Sequence, residues 1–351
     1  MKKNIRHLFW LKKITCILLL FLAVLGCATT EVEIRERADA GYYQNHVRSD
    51  LVRTQIDETF ESVRRIQSTV TYRTYQFDLD NLPRQSYLRG ANFEFIAVDR
   101  KVDTHSTAGT ALVLSAAQRG RVGLLTAAHA ATFPDTIWHY SGVRVEGADN
   151  FVEAVSIRDN LNQFIFTDDG IELIELVVAD ERRDLAMLRT ISPVGPSANL
   201  IPLRVPAGDI SQIRTADMIY AMGYPRGVQM VTQGLVNLTQ HPIRTLMMDI
   251  NLNRGFSGGV VFAIRSDGSG LEWIGIITST LGEREHYLTP DSVFDNDFVP
   301  DLEYTGRIFV RSTMRIYYGM TNAVDVGNVR TFLYENWNTL RDAGIRVPLL
   351  P

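Results

Sequence analysis

The stretch Val122-Gly123-Leu124-Leu125-Thr126-Ala127-Ala128-His129 is a short apolar strand that ends on a titratable group. Runs of similar length recur on either side of it, at Thr110 to Leu114, Phe164 to Thr167, Ile171 to Val178, Leu185 to Arg189, Met218 to Met222, Val260 to Ile264 and Trp273 to Thr278. From about Phe93 onward, Gly, Asp, Asn and Pro separate these runs. Many short strands without alternating long helices predict an all-β barrel or sandwich.

Two further segments belong with His129. Asp184-Leu185-Ala186-Met187-Leu188 opens an apolar strand with an aspartate, and Gly255-Phe256-Ser257-Gly258-Gly259 sets a serine among glycines. A serine hydroxyl is a poor nucleophile until a histidine within hydrogen-bond reach takes its proton. That imidazole needs a buried carboxylate to hold its tautomer, and the apolar run after Asp184 supplies burial. Glycines beside the serine let successive backbone N–H groups turn into one cavity, where they stabilise a developing oxyanion. Asp135 and Asp180 are the alternative carboxylates, one after Pro134 and one in the charged turn ADERRD.

Taken in chain order, His129, Asp184 and Ser257 resemble the chymotrypsin/trypsin-like serine protease family. The resemblance implies two six-stranded β-barrels meeting at a cleft. It implies His129 as general base, Asp184 as its orienting carboxylate, Ser257 as nucleophile, and the N–H groups of Gly255 and Ser257 as oxyanion donors. Met222-Gly223-Tyr224-Pro225-Arg226-Gly227, Thr232 to Val236 and Asp249 to Gly255 resemble the bacterial HtrA-like branch. Ile277, Thr278 and Ser279 resemble the strand of that branch that pairs with substrate backbone. Asn251, six residues before Ser257, stands where trypsin-like enzymes set the charge of the specificity pocket, so cleavage after small or medium apolar residues is expected. Phe256 replaces the asparagine usual in HtrA-like chains, which keeps open a second reading, a silent protease fold that binds peptides. Strands and a helix use the residues after Ser257, leaving no length for the PDZ domain of that branch.

The amino terminus reads as an address. Lys2, Lys3, Arg6, Lys12 and Lys13 precede the uncharged run Ile14 to Gly26, the plan of a secretory signal. Val24-Leu25-Gly26-Cys27 resembles a bacterial lipobox, with Cys27 as the lipidated residue; a plain signal peptide or an uncleaved anchor is the alternative. Ala28 after the cysteine favours sorting to the periplasmic face of an outer membrane. Losing residues 1–26 removes five basic residues and no acidic one, so the net charge of −4 becomes −9. The two cysteines, Cys16 and Cys27, exclude a disulfide scaffold and a multi-cysteine metal site. With 36 basic against 40 acidic residues, nothing proposes nucleic acid as a partner.

Val47, Leu51, Ile56, Phe60, Val63, Ile66 and Val70 recur at helical spacing and predict an amphipathic helix, either packed on the following domain or self-associating. Thr69 to Phe77 reads as a strand broken at Asp80-Asn81-Leu82-Pro83. Val329, Phe332, Leu333, Trp337 and Leu340 mark one carboxy-terminal helix closed by Gly344. Asp291, Asp295, Asp297, Asp301 and Glu303 form an acidic stretch read as a solvated loop in preference to a Ca²⁺ site. The expected layout is a signal at 1–26, a tether and helix at 27–90, and a double-barrel protease domain at 91–345. No cofactor is expected, and the partners are protein or peptide substrates and the lipid anchor.

Overall fold

The structure, a computed structural model, describes residues 50–116, 120–142, 144–239, 246–290 and 308–347. The signal, Cys27, Ala28 and the acidic stretch at 291–303 lie outside these residues.

The chain enters through helix α1 (Asp50–Phe60) and then builds β1 (Val63–Gln76), two one-turn helices α2 (Gln85–Leu88) and α3 (Phe93–Ile96), and β2 (Asp99–Ala116). β3 (Val122–Thr126), β4 (Thr136–Tyr140), β5 (Val152–Thr167), β6 (Gly170–Asp180) and β7 (Leu185–Thr190) follow. These strands run in the order β1-β2-β3-β7-β6-β5, and the antiparallel pairing of β1 with β5, Ile66 opposite Ile165, closes them into a six-stranded barrel. β4 is an extra strand on β5. β8 (Met218–Gly223), β9 (Met230–Leu238), β10 (Leu246–Met248), β11 (Val260–Ile264), β12 (Leu271–Pro290) and β13 (Ile308–Asp325) form a second closed barrel, in the order β10-β13-β12-β11-β8-β9. Helices α4 (Val326–Glu335) and α5 (Trp337–Asp342) end the chain. Every apolar run singled out above lies in a strand, and the two six-stranded barrels are the trypsin-like architecture.

Alternation explains why these strands read as unbroken apolar runs. Leu124, Ala186 and Leu188 point into the first barrel and Ile219, Ala221 and Val261 into the second. Their neighbours Leu125, Leu185, Met187, Tyr220, Met222 and Val260 join one shared core between the barrels. With both faces buried, no position is left for a polar side chain.

The helix expected over 47–70 is corrected. It stops at Phe60, and from Val63 the chain is β1, so the first barrel begins at Val63 and not at residue 91. Ile66 and Val70, four apart, satisfy a period of two as well as of 3.6. The residue between them that would have shown alternation is Ser68. It is buried at 1% exposure because its hydroxyl donates to the Ala130 carbonyl at 3.1 Å. The carboxy-terminal helix is two helices meeting at Asn336; Val329, Phe332, Leu333 and Leu340 are buried as expected, while Trp337 is partly exposed.

Candidate active site

His129 sits in a 3-10 turn, Ala128–Ala130, that begins as β3 leaves the shared core. The Ala128 N–H donates to the Asp184 carbonyl at 3.1 Å, tying this turn to the residue that opens β7. Asp184 has φ +56°, left-handed for a residue with a side chain, and is 8% exposed. Its Oδ2 lies 2.8 Å and its Oδ1 3.1 Å from His129 Nδ1, and Oδ1 also accepts the His129 backbone N–H at 2.9 Å. On the other side of the ring, His129 Nε2 lies 2.8 Å from Ser257 Oγ. The three residues expected from sequence therefore meet in one hydrogen-bonded line, which crosses from the first barrel to the second.

The serine loop is shaped by its own backbone hydrogen bonds. Phe256 N–H donates to Asn253 O at 3.2 Å, closing a turn with Gly255 at φ +104°. Only glycine fits there, since a Cβ would lie 2.5 Å from the Tyr224 carbonyl. The Arg254 carbonyl accepts from Arg226 N–H at 2.9 Å, and the Phe256 carbonyl from Gly259 N–H at 2.7 Å. In a planar trans peptide the N–H points opposite to its carbonyl. The Gly255 and Ser257 N–H groups are thus turned away from those donors, and neither meets an acceptor among the described residues. Two free, fixed donors beside a serine hydroxyl are what an oxyanion requires.

Phe256 turns into the protein interior. Its ring is 2% exposed and packs in the core of the second barrel, where a Cβ on Gly223 would stand 2.7 Å from its Cδ1. A bulky residue fits because its neighbours across the strand and along the loop, Gly223 and Gly259, have no side chains.

Sequence reasoning missed Thr110. This buried β2 residue donates from Oγ1 to Gly255 O at 2.7 Å and from its backbone to Ser257 O at 2.8 Å, while Oγ1 accepts Tyr224 N–H at 2.9 Å. Its carbonyl accepts from Thr126 Oγ1 at 2.6 Å. One threonine of the first barrel thereby binds two carbonyls of the serine loop, those of Gly255 and Ser257. Nothing in a lone threonine within an apolar run marks it.

The expected substrate strand needs one correction. Ile277 N–H donates to Gly259 O and Ile277 O accepts Gly258 N–H, both at 2.8 Å, so its backbone is consumed by the serine loop and has nothing left for a peptide. Thr278 follows at a β-bulge, skipped by the pairing of Ile277 with Ala323 and Ser279 with Asn322. It is buried and its hydroxyl has no partner. Asn251 is exposed, close to Gly319 at the irregular part of β13. Of the two alternative carboxylates, Asp135 pairs with Arg158 and Asp180 with Arg183. Burial opposes ionisation of Asp180, but the Arg183 backbone N–H and guanidinium hold its carboxyl below the usual range.

Residues 109–271, which include all three aligned residues, match the family model of the trypsin-like peptidase domain. No curated protein sequence matches the chain. Among solved structures it is similar to the HtrA-type protease AlgW with decapeptide, at 19% identity and TM-score 0.42, covering 84% of this chain and 68% of that one. A substituted AlgW with tripeptide gives 18% identity and TM-score 0.40, covering 84% of this chain and 64% of that one. The matched segment lies within the two barrels and spans β3, β7 and the serine loop, so the trypsin-like peptidase match and the double-barrel fold fall on the same part of the chain.

Proposed function

We propose that the protein is a serine endopeptidase that cleaves protein substrates through an acyl-enzyme. The carrying observation is the line from Asp184 through His129 to Ser257, with 2.8 Å at both joints. Ser257 Oγ attacks the peptide carbonyl while His129 Nε2 takes its proton and passes it to the leaving amine. Asp184 keeps the Nδ1 proton in place and stabilises the imidazolium. The negative charge on the carbonyl oxygen is met by the N–H groups of Gly255 and Ser257. Water, deprotonated by the same imidazole, then releases the acyl group.

A fluorophosphonate probe tests this, because it reacts quickly only with an aligned Ser-His pair and a formed oxyanion site. Wild type is expected to be labelled and to cleave casein, and Ser257→Ala to lose on the order of 10⁶-fold in kcat with its melting temperature unchanged. Activity surviving in Ser257→Ala refutes the assignment. The silent-fold reading rests on Phe256; burial of that ring in the barrel core supports the peptidase reading over it.

The proposal includes export and a lipid tether at Cys27, with envelope proteins as substrates, on the strength of the amino-terminal sequence alone. Metabolic labelling with radioactive palmitate, lost in Cys27→Ser, tests the tether. Cleavage after small or medium apolar residues follows from the uncharged Asn251; a peptide-library profile dominated by Arg or Lys overturns it.

A further inference from the structure

The left-handed φ of Asp184 is strained for a residue with a side chain, and such a residue persists only where its surroundings over-determine it. The residue before it supplies that constraint. Arg183 has a side chain only 7% exposed. Its backbone N–H donates to Asp180 Oδ1 at 2.9 Å, and its Nη1 to Asp180 Oδ2 at 2.5 Å, which closes the turn leading to Asp184. The guanidinium then reaches Glu335 in a fork, Nη1 to Oε2 at 2.6 Å and Nη2 to Oε1 at 3.0 Å. A planar guanidinium bound to a carboxylate in this way is fixed in direction as well as in place.

Glu335 is the last residue of α4, whose start is capped by Asp325 at the end of β13, in the second barrel. The carboxy-terminal segment is fastened to the first barrel at two further points. Arg189 Nη1 donates to Ala343 O at 2.7 Å, and Ile345 packs so closely on Gly123 that a Cβ there would lie 2.8 Å from it. The clamp on Arg183 therefore has a rigid base.

We infer that Glu335 is a positioning residue for the reaction: through Arg183 it holds the Asp184 turn against His129. Asp184 must satisfy the His129 ring and backbone together, and a displacement of about 1 Å at such a site costs orders of magnitude in rate. The geometry stands by itself; its consequence for turnover rests on the peptidase reading. Half of the Glu335 side chain is exposed, so removing it takes little from the core but leaves a buried guanidinium short of a partner.

The test uses the full chain as Glu335→Ala and Glu335→Gln, with three readouts: the downfield proton NMR signal of His129 Nδ1–H, kcat and KM on a short peptide, and the melting temperature. Glu335→Ala is expected to broaden the signal away and to lower kcat about tenfold at unchanged KM, while melting well above the assay temperature. Glu335→Gln keeps an acceptor oxygen for the guanidinium and is expected to restore most of both. Glu335→Ala with signal and kcat intact overturns the inference, as does a loss in both variants that merely follows the unfolded fraction. If wild type shows the signal but reacts with neither probe nor peptide, the peptidase reading fails, and the response of the signal to Glu335→Ala alone decides the positioning.

Discussion

Asp184 grips His129 at two points, with Oδ2 2.8 Å from the ring Nδ1 and Oδ1 2.9 Å from the backbone nitrogen. The same carboxylate thus fixes the ring and the main chain that carries it. With the proton held on Nδ1, the lone pair of Nε2 faces Ser257 Oγ.

Asp184→Asn is expected to lower kcat about 10⁴-fold without unfolding the protein. The amide donates to Nδ1, which drives the ring proton to Nε2 and removes the acceptor that Ser257 needs. Asparagine also tolerates the left-handed backbone. Steady-state kinetics beside a thermal melt check this; a drop below tenfold contradicts the role assigned to the carboxylate.

Thr110→Val keeps the shape of the side chain and deletes its hydroxyl. The Gly255 carbonyl and Tyr224 N–H then lose their buried partner, at a cost of about 1–3 kcal/mol. The urea midpoint should fall, and fluorophosphonate labelling of the remaining folded protein should slow because the oxyanion turn is less firmly set. An unchanged midpoint and labelling rate would show that Thr110 does not anchor the loop.

Gly223→Ala should destabilise the protein through collision with Phe256, and this cost should shrink when Phe256→Ala is present. Phe256→Ala alone is expected to cost about 3–5 kcal/mol, since the ring is enclosed in the second barrel. Chemical denaturation of the four members of this cycle measures the coupling. Additive costs would place the ring elsewhere.

Asp180 gives a prediction in pH. Its carboxyl is held below the usual range by the Arg183 hydrogen bonds, which outweigh desolvation. A carboxylate depressed in the folded state contributes stability above its unfolded pKa, and that contribution is lost as pH falls through the folded value. The melting-temperature gap between wild type and Asp180→Asn should therefore be full near pH 7 and narrow below about pH 4, toward the folded value. Calorimetry across that range decides it, and a gap that widens in acid has the wrong sign.

The strands and the reacting residues were legible because both leave local marks. Leu124 and Leu125, or Ala186 and Met187, are apolar in succession since each faces a different core, and glycines surround Ser257 because its loop runs through positive φ at Gly255 and Gly258. The start of β1, Val63 to Val70, carries helical spacing because one buried position holds Ser68, whose polarity hides the alternation and whose partner, Ala130, is 62 residues away.

Sequence alone determined that apolar runs of strand length make an all-β barrel or sandwich and that a histidine, an aspartate and a serine in this order stand beside them. Only the tertiary structure decided what holds those three in line. Thr110 meets Gly255 across 145 residues, Arg183 meets Glu335 across 152, and Ile277 gives its backbone to the serine loop and not to a peptide. Periodicity records which face of a strand is buried, whereas the partner of a buried polar group depends on which barrel surfaces meet, and that is set by packing far from either residue in the chain.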